Sequence, residues 1–171
     1  GFVEPVFDAQ ASFRKIMHAL ATPGRIISLK ADLAVPELMN PAAAAALLAL
    51  CDFETTLWLS PGLTRQGTIG EYLGFHTGTR LASEPASASF ALVDLAQDRL
   101  DIGCFAQGTP EYPDRSTTVV LLCERLAGQD AIDFTGPGIA GRTRLGFSPM
   151  PVDFREQWRA NREIFPLGVD L

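Results

Sequence analysis

Residues 8–24, DAQASFRKIMHALATPG, run from Asp8 to Gly24 and read as one helix with both ends marked. Asp8 is placed to cap the start, accepting from backbone N–H groups that have no helical partner. Thr22-Pro23-Gly24 stops it, because proline disfavours a helical residue before it and glycine permits a sharp exit. At about 100° per residue, Ala9, Phe13, Ile16, Met17, Leu20 and Ala21 share one broad stripe, the pattern of a helix packed on a core. Gln10 and Arg14 lie one turn apart at its margin, while Lys15 points away. An arginine beside a core is expected to hold a partner.

Outward from this helix the chain alternates helices and strands. Arg25–Leu29 (RIISL) is a strand candidate, and Lys30 to Met39 a loop. Asn40-Pro41 opens an alanine-rich helix ending near Asp52, with a capping side chain followed by proline at the first helical position. Alanine allows close approach, so that helix packs tightly. Strands are expected at Thr55–Leu59, Ser87–Val93 and Thr117–Cys123 from their β-branched and aromatic content, with a short one at Ile132–Phe134. Thr117–Cys123 carries the continuous apolar run of a strand buried on both faces. A weak helix spans Gln66 to Gly74, and a helical turn falls around Asp98 to Ile102. A helix begins at Asp153 with Phe154, Trp158, Asn161 and Phe165 along one side, and Phe165–Leu171 returns to strand. The reading is a single α/β domain over residues 1–171, a mixed sheet covered by helices. Its antiparallel part comes from a hairpin joining Thr117–Cys123 to Ile132–Phe134.

The totals fit a soluble globular chain: 171 residues, 47% hydrophobic and 20% charged. A net charge of −6 argues against a nucleic-acid coat or an anionic-membrane binder, yet permits a local basic site. All basic residues except Lys15 and Lys30 are arginines, which suit carboxylate and phosphate contacts. Cys51, Cys104 and Cys123 are odd in number and widely spaced, so they read as reduced thiols of a cytoplasmic protein. The apolar run Pro41–Cys51 is too short to span a bilayer, and no signal peptide is evident at the start.

Candidate chemistry is sparse. His18 and His76 show no metal-ligand spacing. Gly136-Pro137-Gly138-Ile139 offers backbone N–H groups to a phosphate, but it matches no phosphate-loop motif and reads first as a turn. Ser60, Ser116 and Thr117 lie in no nucleophile elbow. Asp52 and Asp170 stand beside apolar elements, where a carboxylate needs a partner such as Arg14. Alternatively they belong to a polar site at the strand ends, where α/β sheets bind ligands.

Four blocks together carry a resemblance. They are Asp8-Ala9-Gln10 with Phe13-Arg14 and Pro23-Gly24; Phe75-His76-Thr77; Gly108-Thr109 through Pro113; and Gly136-Pro137-Gly138-Ile139 with Asn161 and Phe165–Asp170 (FPLGVD). In this order the chain resembles the PhnH family, the H subunit of the bacterial carbon–phosphorus lyase system for phosphonate use. The resemblance implies a three-layer α/β/α fold like the large domain of pyridoxal-phosphate-dependent transferases, without that cofactor. Lys15 and Lys30 agree, since neither has an evident setting for an aldimine.

The resemblance further implies partners, the G, I and J subunits, and a homodimer when isolated. It implies participation with the G, I and L subunits in exchanging the adenine of ATP for a phosphonate, Mg-ATP being substrate rather than cofactor. No metal, nucleic acid or membrane is expected. Family members continue past FPLGVD into a further strand and a basic segment, whereas this chain stops at Leu171. The expected polar site comprises Arg14, Asp52, His76, Thr109 and Asp170. Arg14 would hold an anion or an acidic side chain, and Arg14–Asp170 is the specific pairing between the two ends.

Overall fold

The computed structural model describes residues 1–30, 32–37, 39–65, 67–126 and 131–171. In chain order its helices and strands are α1 (Pro5–Ala21), α2 (Pro41–Leu50), β1 (Thr56–Leu59), α3 (Pro61–Thr64), α4 (Thr68–Thr77) and β2 (Arg80–Leu81). They continue with β3 (Phe90–Asp94), β4 (Thr118–Leu122), β5 (Ile132–Phe134), β6 (Thr143–Leu145) and α5 (Phe154–Glu163). Contacts divide the chain into two compact units. The first holds Gly1–Leu50 and Cys123–Met150, and the second Cys51–Leu122 and Pro151–Leu171. Parts of the expected loop (Ala31, Leu38) and of the expected weak helix (Gln66) lie outside the described residues.

Unit 1 joins a helix pair to a small antiparallel ladder. Asp8 is not the cap of α1. The helix starts three residues earlier at Pro5, and the Asp8 carboxylate reaches back to accept the Glu4 N–H at 2.9 Å. Proline suits the first turn because its missing N–H would have no partner there. The expected core stripe divides: Ala9 and Ile16 are half-buried and Ser12 is fully buried, but Phe13, Met17 and Leu20 remain 41–45% exposed. Packing thus centres one step round the helix from the apolar stripe. The partner is α2, whose Ala43, Ala44, Ala45 and Leu47 are buried. Asn40 caps α2 as expected, its Oδ1 accepting from Ala42 N–H at 2.8 Å and Ala43 N–H at 3.4 Å.

The Arg25–Leu29 segment forms no strand, and Ile132–Phe134 does not pair with β4. Instead β5 pairs antiparallel with β6, and an isolated bridge joins Arg125 to Ser148. The β6 strand has only three residues, too few to show a period.

Unit 2 is built on a parallel sheet of order β2-β1-β3-β4. The main sheet is therefore not mixed, and the antiparallel ladder belongs to unit 1. Beyond β4, Asp170 forms a parallel bridge to Thr118, with Val119 N–H donating to Asp170 O at 2.8 Å. Leu57, Leu63, Ile69, Leu73, Leu92, Val93, Leu100 and Val119 form the buried centre. Two buried hydroxyls tie it together. Thr117 donates to Ala88 O at 2.7 Å and accepts from Ala106 N–H at 3.2 Å. Ser60 accepts the Asp94 N–H at 3.2 Å. The α5 helix is fixed by buried Phe154 and by Gln157, which accepts from Ile102 N–H at 2.8 Å and donates to Leu100 O at 3.0 Å.

Cys51 is buried, and burial pushes its thiol up to about 12, with the Asp52 charge adding to the shift and a Thr55 hydrogen bond opposing it. Burial also raises Cys104 and Cys123, which are less enclosed. At pH 8 a disulfide reagent should modify Cys104 and Cys123 first and Cys51 only on unfolding, because the thiolate is the reactive form. Equal native rates for all three would contradict this. The unfolded chain ionises Cys51 near the ordinary 9.0, so this thiol lowers stability progressively as pH rises from about 9 to 12.

Candidate functional site

The sheet order reverses at β1, and open α/β sheets bind ligands at the carboxyl ends of strands flanking such a reversal. At that place the chain supplies an acceptor of its own. The Asp98 carboxylate, in the loop after β3, accepts the Gly62 N–H with both oxygens, at 2.9 and 3.1 Å. A Cβ on Gly62 would stand 2.7 Å from Asp98 Oδ2 and 3.0 Å from Gln97 Cβ. A carboxylate of the chain thus occupies the start of α3.

The expected polar residues of unit 2 lie toward the opposite, amino-terminal side of the sheet, and among the described residues no hydrogen bond or ion pair joins Asp52, Thr109 and Asp170 to one another. Asp52 precedes β1 and shapes a turn: its Oδ1 accepts from the N–H groups of Glu54 and Thr55, each at 3.0 Å. His76 lies in the last turn of α4, its ring edge-on to Tyr72 and Phe75 with centroids 4.7 and 5.0 Å away. Desolvation holds its imidazole below the ordinary histidine value. The Tyr72 hydroxyl is buried without a hydrogen-bond partner among the described residues, and burial raises its pKa. Thr109 accepts the Tyr112 N–H through its hydroxyl at 3.2 Å. Asp170 is exposed and extends the sheet through its backbone. Arg14 is an exposed residue of α1 in unit 1.

The quoted sequence blocks converge in two pairs. In unit 2, Gly168 N–H donates to Gln107 O at 2.9 Å, joining the segment around Gly108–Pro113 to the FPLGVD block. Asn161 accepts the Val169 N–H at 2.8 Å and donates to Val169 O at 3.0 Å. Gly108 has φ +78°, and a Cβ there would meet Pro113 O at 2.7 Å. In unit 1, Pro23-Gly24 meets the Gly136–Ile139 turn and β6. A Cβ on Gly138 would collide with Ala21 O, and one on Gly24 with Thr143 Cγ2.

That second meeting forms an open cavity of about 230 Å³, lined by Thr22, Pro23, Arg25, Ile139, Arg142 and Thr143 among others. Arg142 Nη1 lies 3.4 Å from Asp133 Oδ2, both side chains at least half exposed. The turn in this wall was legible in the sequence. Its two arginines were not, because nothing in their spacing links them. Among the described residues no His, Cys, Asp and Glu cluster could hold a metal, and no helix is long and apolar enough to cross a membrane.

These features define an α/β protein with a parallel sheet, whose Asp98 carboxylate holds the start of α3, plus an arginine-lined depression in unit 1. Comparison with known proteins supplies the family. The model of the bacterial phosphonate metabolism protein PhnH matches residues 1–171, so the chain belongs to the PhnH family. It is 39% identical over 170 residues to the alpha-D-ribose 1-methylphosphonate 5-triphosphate synthase subunit PhnH of Rhizobium meliloti (strain 1021), covering 99% of this chain and 84% of the relative. It is 32% identical over 165 residues to HtxG of Stutzerimonas stutzeri, whose name associates it with the C-P lyase, covering 95% and 76%.

Proposed function

We propose that the chain is a subunit of the carbon–phosphorus lyase system, required for forming ribose 1-phosphonate 5-triphosphate from ATP and a phosphonate. The observation that carries this reading is the match to the Rhizobium meliloti synthase subunit over 99% of the chain. The chain acts with the G, I and J subunits, in the cytoplasm, and is not catalytic alone. Its fold is the three-layer architecture of the pyridoxal-phosphate transferase large domain, used without that cofactor. Both lysines are exposed residues of unit 1, which supports that part of the reading. Mg-ATP enters as substrate of the assembly. Asp52, His76, Thr109 and Asp170 of unit 2, and Arg14 of unit 1, are its polar recognition residues.

The test is to combine ATP and methylphosphonate with the other subunits, with and without this chain, and follow the ribose phosphonate by phosphorus NMR. Product is expected only when the chain is present. Product at an equal rate without it would overturn the assignment. Replacing Arg14 and His76 together should slow product formation, and an unchanged rate in a folded variant would remove them from the surface.

A second reading makes the chain a purely structural subunit with no small-molecule site. The apolar stripe of Val6, Phe13, Met17 and Leu20 on α1, each at least 41% exposed, favours it. Such a contiguous apolar surface marks a contact with another protein, here a neighbouring subunit of the assembly. The isolated chain sediments as a homodimer in this reading. Replacing Phe13 and Met17 together by Asp should abolish co-purification with the other subunits while the chain stays folded. Undiminished co-purification would eliminate this surface.

A further inference from the structure

We infer that the cavity in unit 1 binds a doubly charged tetrahedral oxyanion, the phosphate or phosphonate head of a small molecule. This goes beyond the assembly role and does not depend on it. Arg25 and Arg142 come from segments far apart in the chain and line one cavity. Guanidinium groups present planar forks of donors that match phosphoryl oxygens in pairs. The chain carries a net charge of −6, so two arginines on one cavity are a local reversal of the overall field.

One further donor fits the same ligand. The Thr22 hydroxyl is committed to His18 O at 2.7 Å. The Thr143 hydroxyl lines the cavity and has no hydrogen-bond partner among the described residues. Pro23 and Ile139 add apolar wall, where a short substituent on phosphorus would rest.

The walls are held in place before any ligand arrives. Gly24 and Gly138 have φ of +83° and +79° and allow the end of α1, the 136–139 turn and β6 to approach more closely than any side chain would permit. A volume of about 230 Å³ takes a phosphoryl group with a small substituent. It falls below the roughly 300 Å³ at which pockets for drug-sized molecules begin.

Asp133 is the resident counter-charge. Its contact with Arg142 is long, at 3.4 Å, and open to water. An exposed pair of this kind holds weakly, so a dianion with better geometry displaces it.

The experiment is isothermal titration calorimetry on the full chain at low ionic strength, with inorganic phosphate and methylphosphonate as probes. One site is expected. Arg25→Gln and Arg142→Gln should each weaken binding about tenfold, as loss of a charge-assisted contact does. Asp133→Asn should tighten it, which a general loss of structure would not do. Arg159→Gln, on α5 of unit 2, should change nothing. Tighter binding of methylphosphonate supports the site with the Pro23–Ile139 wall in use, and equal binding supports it as a site for the bare head group. Absence of binding by the unaltered chain, or binding that both arginine replacements leave unchanged, overturns the proposal. Circular dichroism confirms that each variant is folded. Because the isolated chain is measured, failure here leaves the assembly role standing.

Discussion

Gly138→Ala is expected to destabilise unit 1 by about 2–4 kcal/mol, among the largest single-residue effects in the chain. Two costs combine. Gly138 has φ +79°, where an L side chain costs about 1–2 kcal/mol. The added methyl also meets Ala21 O and, at 3.0 Å, Pro23 Cδ. The first obstacle is backbone, so the turn must lift away from the end of α1. Gly141→Ala isolates the first cost, since Gly141 has φ +84° but nothing within 4 Å of the place a Cβ would take. It should lose only about 1 kcal/mol. Urea unfolding of both variants gives the comparison. Equal midpoints would show that the close approach to Ala21 contributes nothing.

Asn161→Leu is expected to cost about 2–4 kcal/mol and to loosen the outer edge of the sheet. Val169 is 3% exposed, and the Asn161 amide satisfies both its N–H and its C=O. Leucine fills similar space but leaves those two polar groups without partners, and each unsatisfied buried group costs about 1–3 kcal/mol. Hydrogen exchange should rise at the Val119 and Asp170 amides, which link β4 to the terminal segment. Asn161→Asp separates the two contacts. It keeps the acceptor for Val169 N–H but sets a second oxygen against the Val169 carbonyl. The folded state then favours the protonated acid, so its stability deficit should shrink as pH falls through the carboxyl range. A deficit independent of pH, or unchanged exchange in the leucine variant, would contradict this account.

The strongly patterned segments were legible in the sequence. Thr56–Leu59, Phe90–Asp94 and Thr118–Leu122 carry enough β-branched or apolar content to declare themselves, and Asn40-Pro41 declared the start of α2. Arg80–Leu81 and Thr143–Leu145 are too short for any period, so they are strands only by virtue of their neighbours. Arg25–Leu29 fails for the converse reason: it has strand composition but no ladder to join. In α1 the period identified the helix, yet it could not say which flank is covered. Ser12 lies inward while Phe13 and Met17 stay partly open.

The site was harder to read. Asp98 offers no motif, and its importance lies in the Gly62 N–H it accepts from another loop. Arg25 and Arg142 share a cavity only because glycines at 24 and 138 let two turns meet. The same is true of Asn161 and Val169. They stand eight residues apart, and their reciprocal hydrogen bonds depend on the sharp path through Gly168, whose φ is +110°.

The interruption of unit 2 has a consequence during synthesis. The chain completes β4 at Leu122, then makes the whole 123–150 segment of unit 1 before returning with α5 and the bridging segment at Asp170. At about 5–20 residues per second, roughly 2–10 seconds of synthesis separate β4 from the segment that bridges to it. Throughout that interval the outer side of β4 is a bare, strongly apolar edge, the kind that pairs with neighbouring chains. The nascent polypeptide therefore passes through a stage when it is most prone to capture by a chaperone or by another copy of itself, until the Asp170 segment, whose neighbour Val169 is held by Asn161, bridges to β4.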